Sequence, residues 1–235
     1  MSRFHLHHFE TINSTQIEAK KPHYQSGDII IADTQTASYG RRGRTWQAPL
    51  GNLYMTMVEE WLGMEQLSWL GYAVGLALYD AVEPLLDNAK LNLKWPNDLL
   101  INQLKMSGIL LEVENNHLLI GIGMNITVTP QTDQPVTCLN DHTSMAYQPI
   151  EIIERFLPCY EYWFDQGKQT GFTEMRRTWL SRAAYLNHEI TARLADGTVL
   201  TGVFDDIDHT GALVLTGENR QYNVTAADIY LTKKS

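Results

Sequence analysis

The chain has 235 residues, 44% of them hydrophobic and 19% charged, the balance of a folded globular protein with a sizeable core. Its 18 basic and 27 acidic side chains leave a net charge of −9, a field that repels phosphate and argues against a general binder of nucleic acid or anionic membrane. Cys138 and Cys159 form neither a disulfide framework nor a zinc spacing, and no apolar run approaches the roughly 20 residues of a membrane span, so a soluble cytoplasmic protein is expected.

Phe4 to Phe9 alternates as a short strand does, and Thr15-Gln16-Ile17-Glu18 has the spacing of a capping box opening a helix. Asp28 to Ala32 is a β-branched run that predicts a buried strand, and Leu53 to Glu59 an alternating one. Between them, Ser38 to Pro49 is polar and rich in Arg and Gly, a loop. Glu65 to Leu86 carries Leu67, Leu70, Val74, Ala77 and Ala81 at helical spacing. Four strand-like pieces follow: Leu91 to Trp95, Asp98 to Ile101, Ser107 to Glu114 and His117 to Ile126. Asn115-Asn116 makes a hairpin turn, since Asn tolerates left-handed dihedrals.

Pro149 to Gly167 predicts a helix with Ile153, Phe156, Tyr160 and Trp163 on one side and a kink at Pro158. Thr173 to Ala184 predicts a shorter one. After Asn187 come four short strands, Glu189 to Leu194, Val199 to Asp206, Ala212 to Leu215 and Gln221 to Val224. Asp196-Gly197, His209-Thr210-Gly211 and Gly217-Glu218-Asn219 separate them as turns. About fifty such residues suggest a small antiparallel barrel, too small to stand alone with comfort and so packed on the larger domain. The expected division is 1–186 and 187–235.

Three segments could carry chemistry. Gly40-Arg41-Arg42-Gly43-Arg44-Thr45-Trp46 concentrates guanidinium groups in an acidic chain. Arginine forks suit phosphate oxygens, glycines let backbone N–H groups approach an anion, and Trp46 could stack on a base. A solvated surface turn or a nucleic-acid contact would use the same residues. Lys94-Trp95-Pro96-Asn97-Asp98 precedes Lys105-Met106-Ser107-Gly108. Pro96 fixes a turn that lets Lys94, Asn97 and Asp98 share one space, where they could hold phosphate and a metal or orient an amine. An ordinary turn and an exposed lysine would read the same way. Gly121-Ile122-Gly123-Met124-Asn125 leaves two bare positions on one strand face, room for a flat ligand or for an aromatic packed from a helix. No P-loop or dinucleotide fingerprint is present. His5, His7 and His8 lack partners at metal-ligand spacing.

Taken in order, Ser14-Thr15, Gln35, Gly40-Arg41-Arg42-Gly43-Arg44-x-Trp46, Lys94-Trp95-Pro96-Asn97-Asp98, Lys105-x-x-Gly108 and Gly121-x-Gly123-x-Asn125 resemble the biotin protein ligases. These join biotin to a lysine of the biotin carboxyl carrier protein of acetyl-CoA carboxylase. The resemblance spans nearly the whole chain. It implies an α+β fold, a mixed sheet flanked by helices like that of class II synthetases, with a C-terminal SH3-like β-barrel. It implies ATP and Mg²⁺ as co-substrate and activator, with biotin as substrate and the carrier protein as partner.

By position, the resemblance puts Ser14, Thr15 and Gln35 at the ureido end of the biotin site, and Gln16 within that site. Tyr39, Gly40, Arg41, Lys105, Gly108, Gly121 and Gly123 belong to the rest of that site. Arg41, Arg42, Arg44, Trp46, Lys94, Asn97 and Asn125 would hold the nucleotide. Lys105, Arg41 and Asp98 would act in catalysis, Asp98 by orienting the acceptor lysine; no metal ligand is assigned. Ser38-Tyr39 stands where the family loop has Gly-Arg, and Gln16 where Asn is common. The Ser-Thr motif arrives at residue 14, so no N-terminal DNA-binding domain is expected. Family members often form homodimers through sheet edges. The rival readings are a lipoate or octanoate protein ligase, which usually carries a different Arg-Arg and triple-Gly signature, and a non-catalytic RNA-binding module using the Arg loop.

Overall fold

The computed structural model describes residues 3–218 and 220–232. In chain order the elements are β1 (His5–Ile12), α1 (Thr15–Glu18), β2 (Asp28–Gln35), β3 (Leu53–Glu60), α2 (Met64–Val82), β4 (Leu91–Lys94), β5 (Asp98–Ile101), β6 (Leu104–Glu114), β7 (His117–Met124), α3 (Pro149–Thr170) and α4 (Thr173–Ser181). There follow β8 (Glu189–Arg193), β9 (Val199–Ile207), β10 (Leu213–Thr216), β11 (Gln221–Val224) and β12 (Asp228–Leu231). Strands β1-β2-β3-β7-β6-β5-β4 form one sheet, parallel between β1 and β2 and antiparallel elsewhere. The expected mixed sheet flanked by helices is present.

Side-chain parity divides the sheet into two faces. Leu53, Met55 and Met57 of β3 and Leu118, Ile120, Ile122 and Met124 of β7 join the main core with the buried residues of α2, α3 and α4. The intervening residues point the other way. There Val58 and Leu119 meet Ala19 and Tyr24 in a small second cluster, while Tyr54, Thr56, Gly121 and Gly123 line a cavity. Seven consecutive residues of β3 are buried, so the alternation expected of it does not divide core from solvent. Both faces are covered.

Several local expectations shift. The cap of α1 is Ser14, not Thr15: its Oγ accepts from Gln16 N, and the helix is a single turn. Helix α2 ends at Val82 and tightens into a 3₁₀ turn around Pro84. Helix α3 opens with a capping box between Gln148 and Glu151 and continues without a break through Pro158 for 22 residues. Strand β6 begins three residues before the expected start, because Asn102 (φ 49°) and Gln103 (φ 68°) turn sharply out of β5. Asn115 and Asn116 take the left-handed dihedrals expected of the β6–β7 turn.

The C-terminal strands form one antiparallel sheet, β11-β10-β9-β8-β12. Among the described residues its edge strands β11 and β12 do not pair with each other, so the barrel is open rather than closed. Asn219, in one of the expected turns, lies outside the described residues. β12, Asp228–Leu231, was not expected from the sequence. The sheet is docked on the larger part, where Tyr72 Oη donates to Gly211 O at 2.5 Å and Trp95 Nε1 approaches the same oxygen at 3.2 Å.

Candidate active site

A cavity of about 660 Å³ lies on the sheet face opposite the long helices, within the size range of small-molecule sites. Every site residue expected above lines it, from Ser14 to Asn125. Its floor is bare sheet. Gly108 and Gly123 are directly paired across β6 and β7, and Gly121 lies two residues along. A methyl group on Gly123 would come 2.6 Å from Trp46 Cε2, and one on Gly121 2.5 Å from Gln16 Oε1. An aromatic therefore does rest on the glycines, but it comes from the Arg-rich loop and not from a helix.

That loop is tied at both ends and at its tip. Trp46 N donates to Ser38 O at 3.2 Å and Gly40 N to Arg44 O at 2.7 Å, closing its stem. Arg42 (φ 58°) and Gly43 (φ 69°) make the reversal. Arg41 turns inward and donates to Asn97 Oδ1 at 3.0 Å. Burial, then the charge of Arg42, pulls the Arg41 guanidinium below its ordinary pKa. Arg42 and Arg44 instead reach the C-terminal sheet, pairing with Asp228; Arg42 Nη1 lies 3.3 Å from its carboxylate. Guanidinium groups so engaged do not form an open basic patch, which does not favour the RNA-binding reading.

Beside the loop, Lys105 Nζ lies 2.6 Å from Asp98 Oδ1 and 5.3 Å from the Trp46 ring centroid. A methyl group on Gly108 would come 3.2 Å from that nitrogen, so glycine there lets the ammonium lie flat on the sheet. Lys94, at the end of β4, sits 5.2 Å over the Tyr230 ring. Burial pushes its pKa down, against the pull of Asp98. Asn97 is a brace as much as a ligand candidate, since its Nδ2 donates to Ile109 O at 2.7 Å. The Trp95–Pro96 bond is cis, and Trp95 is buried in the core. Among the described residues, five buried side-chain atoms make no hydrogen bond, and the two of them that line the cavity without an ion-pair partner are Trp46 Nε1 and Asn125 Oδ1. A donor and an acceptor left bare in a cavity suit a heteroaromatic base.

The far end is a hydrogen-bonded wall. Thr15 N donates to Gln35 Oε1 at 2.7 Å, and Thr56 Oγ1 lies 2.9 Å from Thr15 Oγ1 and 3.0 Å from Gln16 Oε1. Tyr39 Oη donates to Glu112 at 3.0 Å, and Lys20 Nζ lies 2.9 Å from the same carboxylate oxygen. Burial works against the charge of Glu112, but hydrogen bonds from Lys20, Gln16 and Tyr39 outweigh it and hold its pKa below the usual range. Sequence reasoning missed Thr56, Glu112, Asp228 and Tyr230. Glu112 sits four residues after Gly108 on the same strand face, the one signal that strand parity offered. Asp228 and Tyr230 reach the site only by domain docking. Among the described residues, no three His, Cys, Asp or Glu gather as a metal cage, and His7 and His8 pair with Asp28 and Asp33 instead.

The model of the biotin/lipoate A/B protein ligase family matches residues 8–126, and that of the biotin protein ligase C-terminal domain residues 185–232. A "Biotin--[acetyl-CoA-carboxylase] ligase" of Paracoccus denitrificans is 35% identical over 234 residues, spanning 93% of this chain and 97% of that protein. One of the same name from Mycobacterium tuberculosis is 31% identical, spanning 86% and 78%. Among solved structures, the biotin protein ligase of Aquifex aeolicus in complex with biotin and ATP superposes with a TM-score of 0.88 at 24% identity, covering 97% of this chain and 99% of that one. The biotin protein ligase of Leishmania major in complex with biotinyl-5-AMP does so with a TM-score of 0.67 at 26% identity, covering 94% and 98%.

Proposed function

The chain belongs to the biotin/lipoate A/B protein ligase family, and from that premise we propose that it is a biotin protein ligase acting in two steps within one cavity. In the first, a carboxylate oxygen of biotin attacks the α-phosphorus of ATP; the P–O bond to pyrophosphate breaks and biotinyl-5′-AMP forms. In the second, the amine of a lysine on the carboxyl carrier protein of acetyl-CoA carboxylase attacks the acyl carbon, loses a proton and expels AMP. The observation that carries this reading is the glycine floor of Gly108, Gly121 and Gly123. It runs from the Thr15–Gln35 wall, past Lys105, to the unpaired atoms of Trp46 and Asn125.

The obstacle in step one is an anion approaching a polyanion. Lys105 and the inward Arg41 bring positive charge to the middle of the cavity, where the reacting carboxylate and α-phosphate would meet. Positive charge fixed in place before the reaction costs no reorganisation during it, and each 1.4 kcal/mol taken off a barrier is about tenfold in rate. Arg42, Arg44, Lys94 and Asn97 would serve the phosphate side, Trp46 and Asn125 the adenine. Asp98, already the counter-ion of Lys105, would orient the incoming amine. Mg²⁺ entering with the triphosphate would supply charge neutralisation there. The loop roof keeps water from the mixed anhydride.

The same reading includes a division of labour between 1–186 and 187–235, a cytoplasmic site of action and self-association through sheet edges. No helix of the described residues is long and apolar enough to cross a membrane. The test is to incubate the protein with biotin, Mg·ATP and a carboxyl carrier domain and to read the carrier's mass. One biotinyl increment on one lysine is expected. An increment with lipoate but none with biotin would replace the reading by its nearest rival.

A further inference from the structure

The polar wall at the ring end of the cavity has a hub outside the residues just assigned. Three donors converge on one oxygen of Glu112: Gln16 Nε2 at 3.2 Å, Tyr39 Oη at 3.0 Å and Lys20 Nζ at 2.9 Å. A carboxylate accepts only, so the end of the Gln16 amide facing it must be the NH₂ group. Gln16 Oε1 then faces Thr56 Oγ1 at 3.0 Å and needs a donor, which takes the one proton of Thr56. The proton so committed is withheld from Thr15 Oγ1, the other acceptor in its reach at 2.9 Å, while Thr15 Oγ1 donates its own to Gln35 Oε1 at 3.3 Å and keeps its lone pairs free. The middle of the chain is shielded, since Thr15, Gln16 and Thr56 are buried, whereas Glu112 and Lys20 are partly exposed.

One carboxylate thus dictates the polarity of a chain of hydrogen bonds. At its end Thr15 Oγ1 shows the cavity an acceptor. Gln35 Oε1 is occupied by Thr15 N–H, so its NH₂ group remains as a donor. A donor beside an acceptor is the complement of a cyclic urea, a carbonyl flanked by N–H groups.

Resting on the biotin reading, we propose that Glu112, with Lys20 as its counter-ion, is a positioning residue for substrate recognition: through Gln16 and Thr56 it keeps Thr15 Oγ1 a free acceptor, beside the Gln35 amide that the Thr15 backbone N–H orients. Tyr39, where a guanidinium would stand in the resembled loop, is the third group on the same carboxylate and joins the start of the Arg loop to this hub.

The experiment is a double-mutant cycle read by calorimetric biotin binding. Glu112→Gln keeps the shape but lets the facing amides turn either way. It is expected to weaken biotin about tenfold, the loss of one oriented hydrogen bond, with the melting temperature within a few degrees of the parent. In a Gln16→Leu background, where the relay is already cut, the same change is expected to cost less than about twofold. An equal penalty in both backgrounds, or none in the parent, would overturn the relay. A parent protein that fails to bind biotin would overturn the ligase reading and this inference with it, a different result from a binding parent whose variants do not discriminate.

Discussion

At the residue scale, the strongest demand on the sequence is for missing side chains. Gly123 and Gly108 are bare because the Trp46 indole lies on them, and Gly121 because the Gln16 amide does. The price in strand stability is roughly 0.5–1 kcal/mol per glycine against alanine, and only a surface meant for a flat group justifies it. Lys105 is the residue whose loss should be felt most in the chemistry, since its ammonium is a cation held over that floor beside Asp98. Lys105→Ala should lower biotin-dependent ATP–pyrophosphate exchange about 10²-fold or more, as removal of a preorganised electrostatic group does. Exchange at the parental rate in a folded variant would take Lys105 out of the first step. These residues were legible because their spacing is local: Gly121 and Gly123 sit on a strand whose period fixes a shared face, whereas Lys105 and Gly108, three apart, share one only through the register shift of β6 against β5. Glu112 was less so, because an acidic residue near a strand end looks like any solvated one until Lys20 and Tyr39 are brought to it.

At the scale of the element, the Arg-rich loop is one piece with two destinations. Arg41 faces the cavity, whereas Arg42 and Arg44 clasp Asp228 of β12. The left-handed backbone at Arg42 and Gly43 separates them. Exposed ion pairs contribute about 0–1 kcal/mol each, so the clasp orders the loop without holding the fold together. Asp228→Asn should therefore speed tryptic cleavage after Arg42 and Arg44 several-fold in the unliganded protein while leaving the melting temperature nearly unchanged. Cleavage no faster than in the parent would mean that the stem, from Ser38 to Trp46, orders the loop by itself. The sequence marked this segment as a loop with anion chemistry, yet could not say that two of its three arginines have an internal carboxylate within reach.

At the scale of the molecule, the two sheets share one core. Ile190, Phe204, Ile207, Leu213 and Leu215 of the C-terminal sheet belong to the same buried cluster as α2, α3 and the floor strands. Arg176 of α4 pairs with Asp206 of β9 across the junction. Burial continuous across a boundary makes unfolding of one side costly to the other. Phe204→Ala, at a fully buried position, should cost about 3–5 kcal/mol and lower a single calorimetric transition for the whole chain. Two separated transitions, only one of them shifted, would mean that the C-terminal sheet unfolds on its own.

The sequence by itself determined the order and type of most elements and the loop with its glycines and arginines, while the set of residues that meet in one cavity was what its resemblance to the biotin protein ligases implied. Hydrophobic period, turn chemistry and motif spacing are properties of neighbouring residues, and they survive without a fold. Only the tertiary structure decided that β3 is covered on both faces, that the small sheet stays open, that Trp46 rather than a helix covers the glycines, and that Asp228 and Glu112 complete the site. Each of these depends on contacts between residues tens to nearly two hundred positions apart. Such pairs carry no local signature, and long-range packing alone sets which of the available partners a charge or a ring will find.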